Sequence, residues 1–81
     1  MNYTDQELKL AKFFIEREGE GVLKILKDCN MVDEGFLDSL DMVVLAIYVE
    51  KEFGVKLDLT SQEVYQAIQN FSTLFNYIVT E

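Results

Sequence analysis

The stretch GFLDSLDMVVLAIYVEKEF, residues 35–53, changes from acidic and turn-forming residues to a nearly continuous apolar segment. Ser39 lies at the junction, with Asp38 before it and Asp41 two positions after it. The change predicts a helix from Ser39 to Phe53, because capping residues precede a run of apolar ones. A serine between two carboxylates at the start of a helix is either part of a cap or an attachment point.

The predicted helix is apolar on more than one side. Leu45, Val49 and Phe53 recur at a spacing of four residues, which is typical of a face that meets the core. Val44 and Ile47 lie on a different side of the same helix. Either both sides are buried, or one side is left exposed for a partner.

Helix signals also flank this segment. TDQE, residues 4–7, has the pattern of a capping box and opens a first helix, which the segment GEG, residues 19–21, ends. TSQE, residues 60–63, repeats the pattern and opens a third helix, and Ser72 is predicted to cap a short fourth helix. The apolar face of the first helix is predicted to contain Leu8, Leu10, Ala11, Phe14 and Ile15.

Residues 22–38 form a long connection, in which VLKILK is either a helical turn or an extended piece. Turn-forming residues follow it, and connections of this length are often functional. The chain is therefore predicted to be one all-α domain spanning residues 1–81. We expect a small four-helix bundle with a long loop between its first and second helices.

Composition excludes several classes of function. The net charge is −8, which argues against nucleic-acid binding, and residues 28–58 hold eight of the fifteen acidic side chains. The longest apolar run, Met42 to Val49, is far shorter than a membrane span, so we expect no membrane insertion. The N-terminus lacks the pattern of a secretory signal, and a single cysteine, Cys29, is typical of a reducing cytoplasm.

The residue types also argue against catalysis. Histidine is absent, which removes the commonest general base and the commonest metal ligand. The segment beginning at Asp28 fails the calcium-loop pattern, since Val32 and Asp33 occupy positions that need an oxygen ligand and a glycine. Asp38 and Asp41 are accounted for by the cap and first turn of a helix. We therefore predict no catalytic residues and no metal site.

Ser39 is chemically suited to carry a phosphate. At a helix N-terminus a phosphate group meets free backbone N–H groups and the positive end of the helix dipole. A phosphodiester and an ordinary phosphoserine would both fit this position.

The second-helix region resembles that of acyl and peptidyl carrier proteins. The resemblance is carried by Asp38-Ser39-Leu40 at the helix start, then by an acid-rich segment that ends at Phe53. The overall length, the acidity, the long first loop and the ending FSTLFNYI are similar too, so the resemblance covers nearly the whole chain. The form GFLDS, in place of the common GADS, is closer to stand-alone aminoacyl and D-alanyl carrier proteins or to specialised acyl carriers.

This resemblance implies a carrier rather than an enzyme. Ser39 Oγ would receive 4′-phosphopantetheine from coenzyme A through a phosphopantetheinyl transferase, and Asp38 would assist the modification. Acyl or aminoacyl groups would then be held as thioesters and exchanged with ligases and transferases. The residues that would dock partner enzymes are Leu40, Asp41, Val44, Ile47, Tyr48 and Lys51.

Two departures favour a specialised pathway over housekeeping fatty-acid synthesis. Val44 and Lys51 stand where carriers of fatty-acid synthesis usually have acids. A dedicated ligase or transferase is then expected, with the carrier acting as a cytoplasmic monomer. Two alternatives stay open. Instead of docking partners, Val44 and Ile47 could pack under the first loop. Instead of a carrier, the chain could be an unmodified structural or regulatory interaction module in which Ser39 only caps a helix.

Overall fold

The computed structural model describes residues 3–80, which form four α-helices and one short 3-10 helix. The α-helices are α1 (Asp5–Glu18), α2 (Ser39–Phe53), α3 (Gln62–Ile68) and α4 (Phe71–Thr80), and the 3-10 helix is Glu20–Lys24. No strand occurs within residues 3–80. The predicted all-α, four-helix architecture is therefore confirmed, and the bounds of α2 are those that its sequence predicts.

The start of α1 is fixed by the predicted capping box. Thr4 Oγ1 accepts a hydrogen bond from the Glu7 backbone N–H at 3.1 Å, and Glu7 Oε1 accepts from the Thr4 N–H at 2.8 Å. Glu7 also forms an ion pair with Lys27 at 3.0 Å, which ties α1 to the long connection. Gly19 ends α1 with a φ of 90°, a backbone conformation that side chains with a Cβ rarely adopt.

One hydrophobic core joins all four helices and the connection. In α1 the buried face is centred on Phe14 and includes Phe13, which the sequence analysis missed; Leu8, predicted to face the core, is instead exposed. The core residues are Leu10, Ala11, Phe13, Phe14, Val22, Leu23, Leu26, Met31, Leu37, Leu45, Val49, Leu57, Val64, Ile68, Phe71, Leu74 and Ile78.

The long connection is held in place by its own apolar residues and by hydrogen bonds to the end of α3. VLKILK contributes a helical turn, so the helical alternative is confirmed. Further along, the Met31 backbone N–H donates to the Gln69 carbonyl at 2.7 Å, and the Asn30 side chain donates to Gln69 Oε1 at 3.1 Å. These bonds and the burial of Leu37 set the point at which the chain enters α2.

Two predicted caps were wrong by one or two positions. Ser61, rather than Thr60, is the N-cap of α3, and its hydroxyl accepts from the Val64 N–H. The fourth helix begins at Phe71, so Ser72 lies inside its first turn and does not cap it. The Asn70 carbonyl accepts the first helical hydrogen bond, from the Leu74 N–H, at 3.0 Å.

Candidate functional site

Ser39 occupies the first position of α2, immediately after the N-cap Asp38. Asp38 Oδ1 accepts from the Asp41 N–H at 2.8 Å, and Asp41 Oδ2 accepts from the Asp38 N–H at 3.2 Å. The two carboxylates thus form a reciprocal capping box around the serine. Asp38 is therefore the N-cap of α2, as predicted from the sequence, and the Ser39 side chain takes no part in the cap.

The Ser39 side chain is exposed, and its hydroxyl forms no hydrogen bond with any residue in the described range 3–80. The first backbone N–H groups of an α-helix have no acceptor inside the helix, so α2 directs positive partial charge toward this end. An exposed, unengaged hydroxyl at such a position is accessible to another enzyme and is compatible with a phosphodiester.

Arg17, from the last turn of α1, forms an ion pair with Asp41. The Arg17 guanidinium also lies over the Phe13 ring, 5.2 Å from its centroid. Because Asp41 belongs to the capping box, this contact connects the end of α1 to the start of α2 directly beside Ser39. Arg17 was not predicted from the sequence, since the pair is separated by 24 positions and no local pattern marks it.

The predicted docking residues fall into two groups. Leu40, Val44, Ile47 and Lys51 are exposed along one side of α2, with Leu40 at 72% and Ile47 at 64%. The alternative in which Val44 and Ile47 pack under the first loop is wrong, because both side chains face solvent. Asp41 and Tyr48 are half-buried against α1.

Tyr48 is a structural tie between the two long helices. Its hydroxyl donates to the Lys9 carbonyl at 2.6 Å, and its ring lies 5.6 Å from that of Phe13. Burial, together with the nearby carboxylates of Glu52 and Glu16, raises the pKa of this phenol above its ordinary value. The hydroxyl therefore stays protonated and acts as a donor to α1.

A shallow groove of about 340 Å³ runs between α1 and α2. Its floor is aromatic, and its rim has one exposed cation and one exposed anion in addition to Arg17. We call it the α1–α2 groove; its lining residues are Phe13, Glu16, Arg17, Val44, Ile47, Tyr48 and Lys51.

The described residues give little support for a reactive cysteine or a metal site. Cys29 is half-buried, and burial is the main reason that the pKa of its thiol is raised, which disfavours the reactive thiolate. Within residues 3–80 no three acidic, cysteine or histidine side chains are grouped as a metal site would require. None of the helices in this range has the length and apolarity needed to span a membrane.

Comparison with known proteins finds curated relatives of this chain. No family model matches the chain, and no solved structure matches it. An acyl carrier protein of Solidesulfovibrio magneticus is 30% identical over 70 residues, which is 86% of this chain and 86% of that protein. With the four-helix fold, this similarity shows that the chain belongs to the acyl carrier protein family.

Proposed function

We propose that this protein is a carrier whose Ser39 Oγ is the attachment point for 4′-phosphopantetheine, transferred from coenzyme A by a phosphopantetheinyl transferase. The single observation that carries the proposal is the exposed Ser39 hydroxyl, which has no hydrogen-bond partner among residues 3–80 while Asp38 does the capping. When bound, 4′-phosphopantetheine supplies a thiol that holds an acyl or aminoacyl group as a thioester. The chain itself is a substrate of other enzymes rather than an enzyme.

Asp38 has two roles in this proposal. Its Oδ1 caps α2 through the Asp41 N–H, whereas its Oδ2 forms no hydrogen bond within the described residues. Asp38 is exposed and immediately precedes Ser39, so this second oxygen can help a transferase to orient a metal-bound donor. The cap keeps the first turn of α2 in a fixed conformation, so the serine is presented without a prior rearrangement.

The exposed side of α2 supports a specialised pathway with its own ligase or transferase. Leu40, Val44 and Ile47 present aliphatic surface there, and the charged residues that follow them, Glu50 and Lys51, are opposite in sign and both exposed. A partner that recognises acidic side chains would find few on this face. We propose that the carrier works with dedicated partners in the cytoplasm, on an acyl or aminoacyl cargo.

The test is an intact-mass measurement. The purified protein is incubated with coenzyme A, Mg²⁺ and a broad-specificity phosphopantetheinyl transferase, beside a known carrier as the positive control. We expect one phosphopantetheine per chain. Ser39→Ala should abolish the mass increase, and Ser72→Ala, which removes an exposed serine from the first turn of α4, should leave it intact.

Failure of the wild-type protein to gain mass, while the known carrier reacts, would contradict the proposal. It would favour an unmodified helical interaction module instead. Mass gained equally by Ser39→Ala would place the attachment elsewhere and would also contradict it.

A further inference from the structure

The capping box at the start of α2 differs in charge from the one at the start of α1. In α1 the box pairs a neutral hydroxyl, that of Thr4, with the carboxylate of Glu7. In α2 both members are aspartates, so two carboxylates lie within one turn, one before Ser39 and one after it. Because like charges at this spacing destabilise each other, the α2 box has more need of a nearby cation than the α1 box.

Arg17 is the cation that meets the α2 box. Its guanidinium pairs with Asp41 Oδ1, while the other oxygen of this carboxylate, Oδ2, accepts from the Asp38 N–H. Each oxygen of Asp41 therefore has its own donor, one from α1 and one from the N-cap residue. The Arg17 and Asp41 side chains are 36% and 15% exposed, so solvent screens the pair only in part. The other ion pair within residues 3–80, between Glu7 and Lys27, belongs to the α1 box.

Arg17 is itself positioned by the core. Its guanidinium lies over the Phe13 ring, and that ring packs edge-on against Phe14, with their centroids 5.3 Å apart. Phe13 is buried and Phe14 is completely buried. A continuous series of contacts thus leads from the core through Arg17 to the box around Ser39. A side chain that is already ordered loses little conformational entropy when it holds a carboxylate.

We infer that Arg17 is a positioning residue for the modification of Ser39, because it holds Asp41 and so keeps the capping box closed. The inference rests on the proposed function and deepens it by assigning a residue of α1 to the presentation of a serine on α2. The closed box fixes the first turn of α2 and also the Asp38 carboxylate, so the serine hydroxyl and the Asp38 oxygen are presented together. Arg17 forms no hydrogen bond with Ser39 within the described residues, so it acts through Asp41.

The experiment measures the transfer of phosphopantetheine to the full unmodified protein by the broad-specificity transferase. Coenzyme A and Mg²⁺ are saturating, and the concentration of the carrier is varied to obtain kcat and KM. Arg17→Gln removes the cation, whereas Arg17→Lys retains a positive charge. Lys12→Gln is the matched control, because Lys12 is an exposed cation of the same helix that forms no ion pair within residues 3–80. Asp41→Asn keeps an oxygen that can accept from the Asp38 N–H but removes the charge that Arg17 pairs with.

Arg17→Gln is expected to lower kcat by about fivefold with KM nearly unchanged, since a partly exposed ion pair contributes about that factor. Arg17→Lys should restore most of the lost kcat, and Lys12→Gln should change neither constant. In a protein that already contains Asp41→Asn, Arg17→Gln should have no further effect, because two changes to one contact are not additive.

Hydrogen exchange gives a second readout, at the box itself. The Asp38 N–H is bonded to Asp41 Oδ2, so its exchange rate, measured by NMR, reports whether the box is closed. Arg17→Gln should speed this exchange by about fivefold, again as expected for the loss of a partly exposed ion pair, while Lys12→Gln leaves it unchanged. Far-UV circular dichroism should show equal helicity for all variants.

Wild-type kcat or wild-type Asp38 exchange in Arg17→Gln would overturn the inference and leave the proposed function standing, since Ser39 would still be modified. A rise in KM at unchanged kcat, or an undiminished effect in the Asp41→Asn protein, would also overturn it, because Arg17 would then contact the transferase directly. Loss of helicity in Arg17→Gln would overturn it by making Arg17 a residue of overall stability alone. If the wild type is not modified at all, the proposed function and the inference fall together.

Discussion

Two leucines of α2 provide a matched test of which side of the helix is buried. Leu45 is completely buried, whereas Leu40, five positions earlier, is 72% exposed. Both residues belong to the same helix, so replacing each by alanine makes the same chemical change in two environments. With the faces assigned in this way, Leu45 belongs to the core and Leu40 lies on the exposed outer side of α2.

Leu45→Ala should lower the free energy of unfolding by about 2–5 kcal/mol, because it removes buried methyl groups and leaves a cavity. A chain of 81 residues is expected to have a total stability of about 4–12 kcal/mol, so the loss is a large share of it. The melting temperature should fall by about 10 °C or more. Leu40→Ala should stay within about 0.5 kcal/mol of wild type, since it changes only exposed surface.

Urea unfolding followed by far-UV circular dichroism measures both values. The slope of the free energy with urea concentration should be unchanged, so that a shift in midpoint reports stability. Equal losses for the two variants, or a larger loss for Leu40→Ala, would refute the assignment of faces. The outer side of α2 that contains Leu40 would then be part of the core.

Three further predictions concern the ends of helices. Asp38→Ala should lower stability by about 1 kcal/mol in urea unfolding, because it removes the N-cap of α2; no loss would contradict the capping box. Gly54→Ala should lower the free energy of unfolding by about 1 kcal/mol, since Gly54 has a φ of 71°. Gly21→Ala is the control and should be nearly neutral, because Gly21 has no positive φ and open space surrounds its Cβ position. The Thr4 N–H, more than any other group, holds the pKa of Glu7 below its ordinary value of 4.5, so this carboxylate stabilises the fold above that pH and the contribution is lost as the pH falls. In Glu7→Gln the free energy of unfolding should therefore fall less steeply as the pH is lowered, as measured by unfolding at a series of pH values. The same pH dependence in the variant and the wild type would contradict this reasoning.

The α2 segment was predictable because its signals are local. Asp38 supplies the cap, Gly54 supplies the left-handed residue that ends the helix, and Leu45 and Val49 between them mark the buried face. Each signal acts within one or two turns of the residue that it positions, so no knowledge of the rest of the fold is needed.

The predicted N-cap of α3 was wrong by one position because two hydroxyl residues, Thr60 and Ser61, could each cap this helix. Asp58 Oδ1 accepts from both the Thr60 N–H at 3.0 Å and the Thr60 hydroxyl at 2.6 Å. With its side chain engaged in this turn, Thr60 cannot cap the helix, and Ser61 takes the position. The pattern TSQE contains both candidates, and the preceding turn decides between them.

Contacts between distant segments were not predictable. Periodicity places Leu8 and Phe13 on α1 but does not say which stripe meets α2, and the structure buries Phe13 against Tyr48 while Leu8 stays exposed. The Arg17–Asp41 pair likewise depends on the antiparallel packing of two helices. The candidate attachment point was therefore visible in sequence, whereas the groove beside it was not.

The most direct test of the central claim is the state of Ser39 in the protein isolated from its native cells. Trypsin should release residues 28–51 as one peptide, in which Ser39 is the sole serine and no threonine occurs. Fragmentation of this peptide in a mass spectrometer should place 4′-phosphopantetheine, with or without a thioester-linked cargo, on Ser39. A peptide that is wholly unmodified, or that holds a simple phosphate on Ser39, would contradict the account.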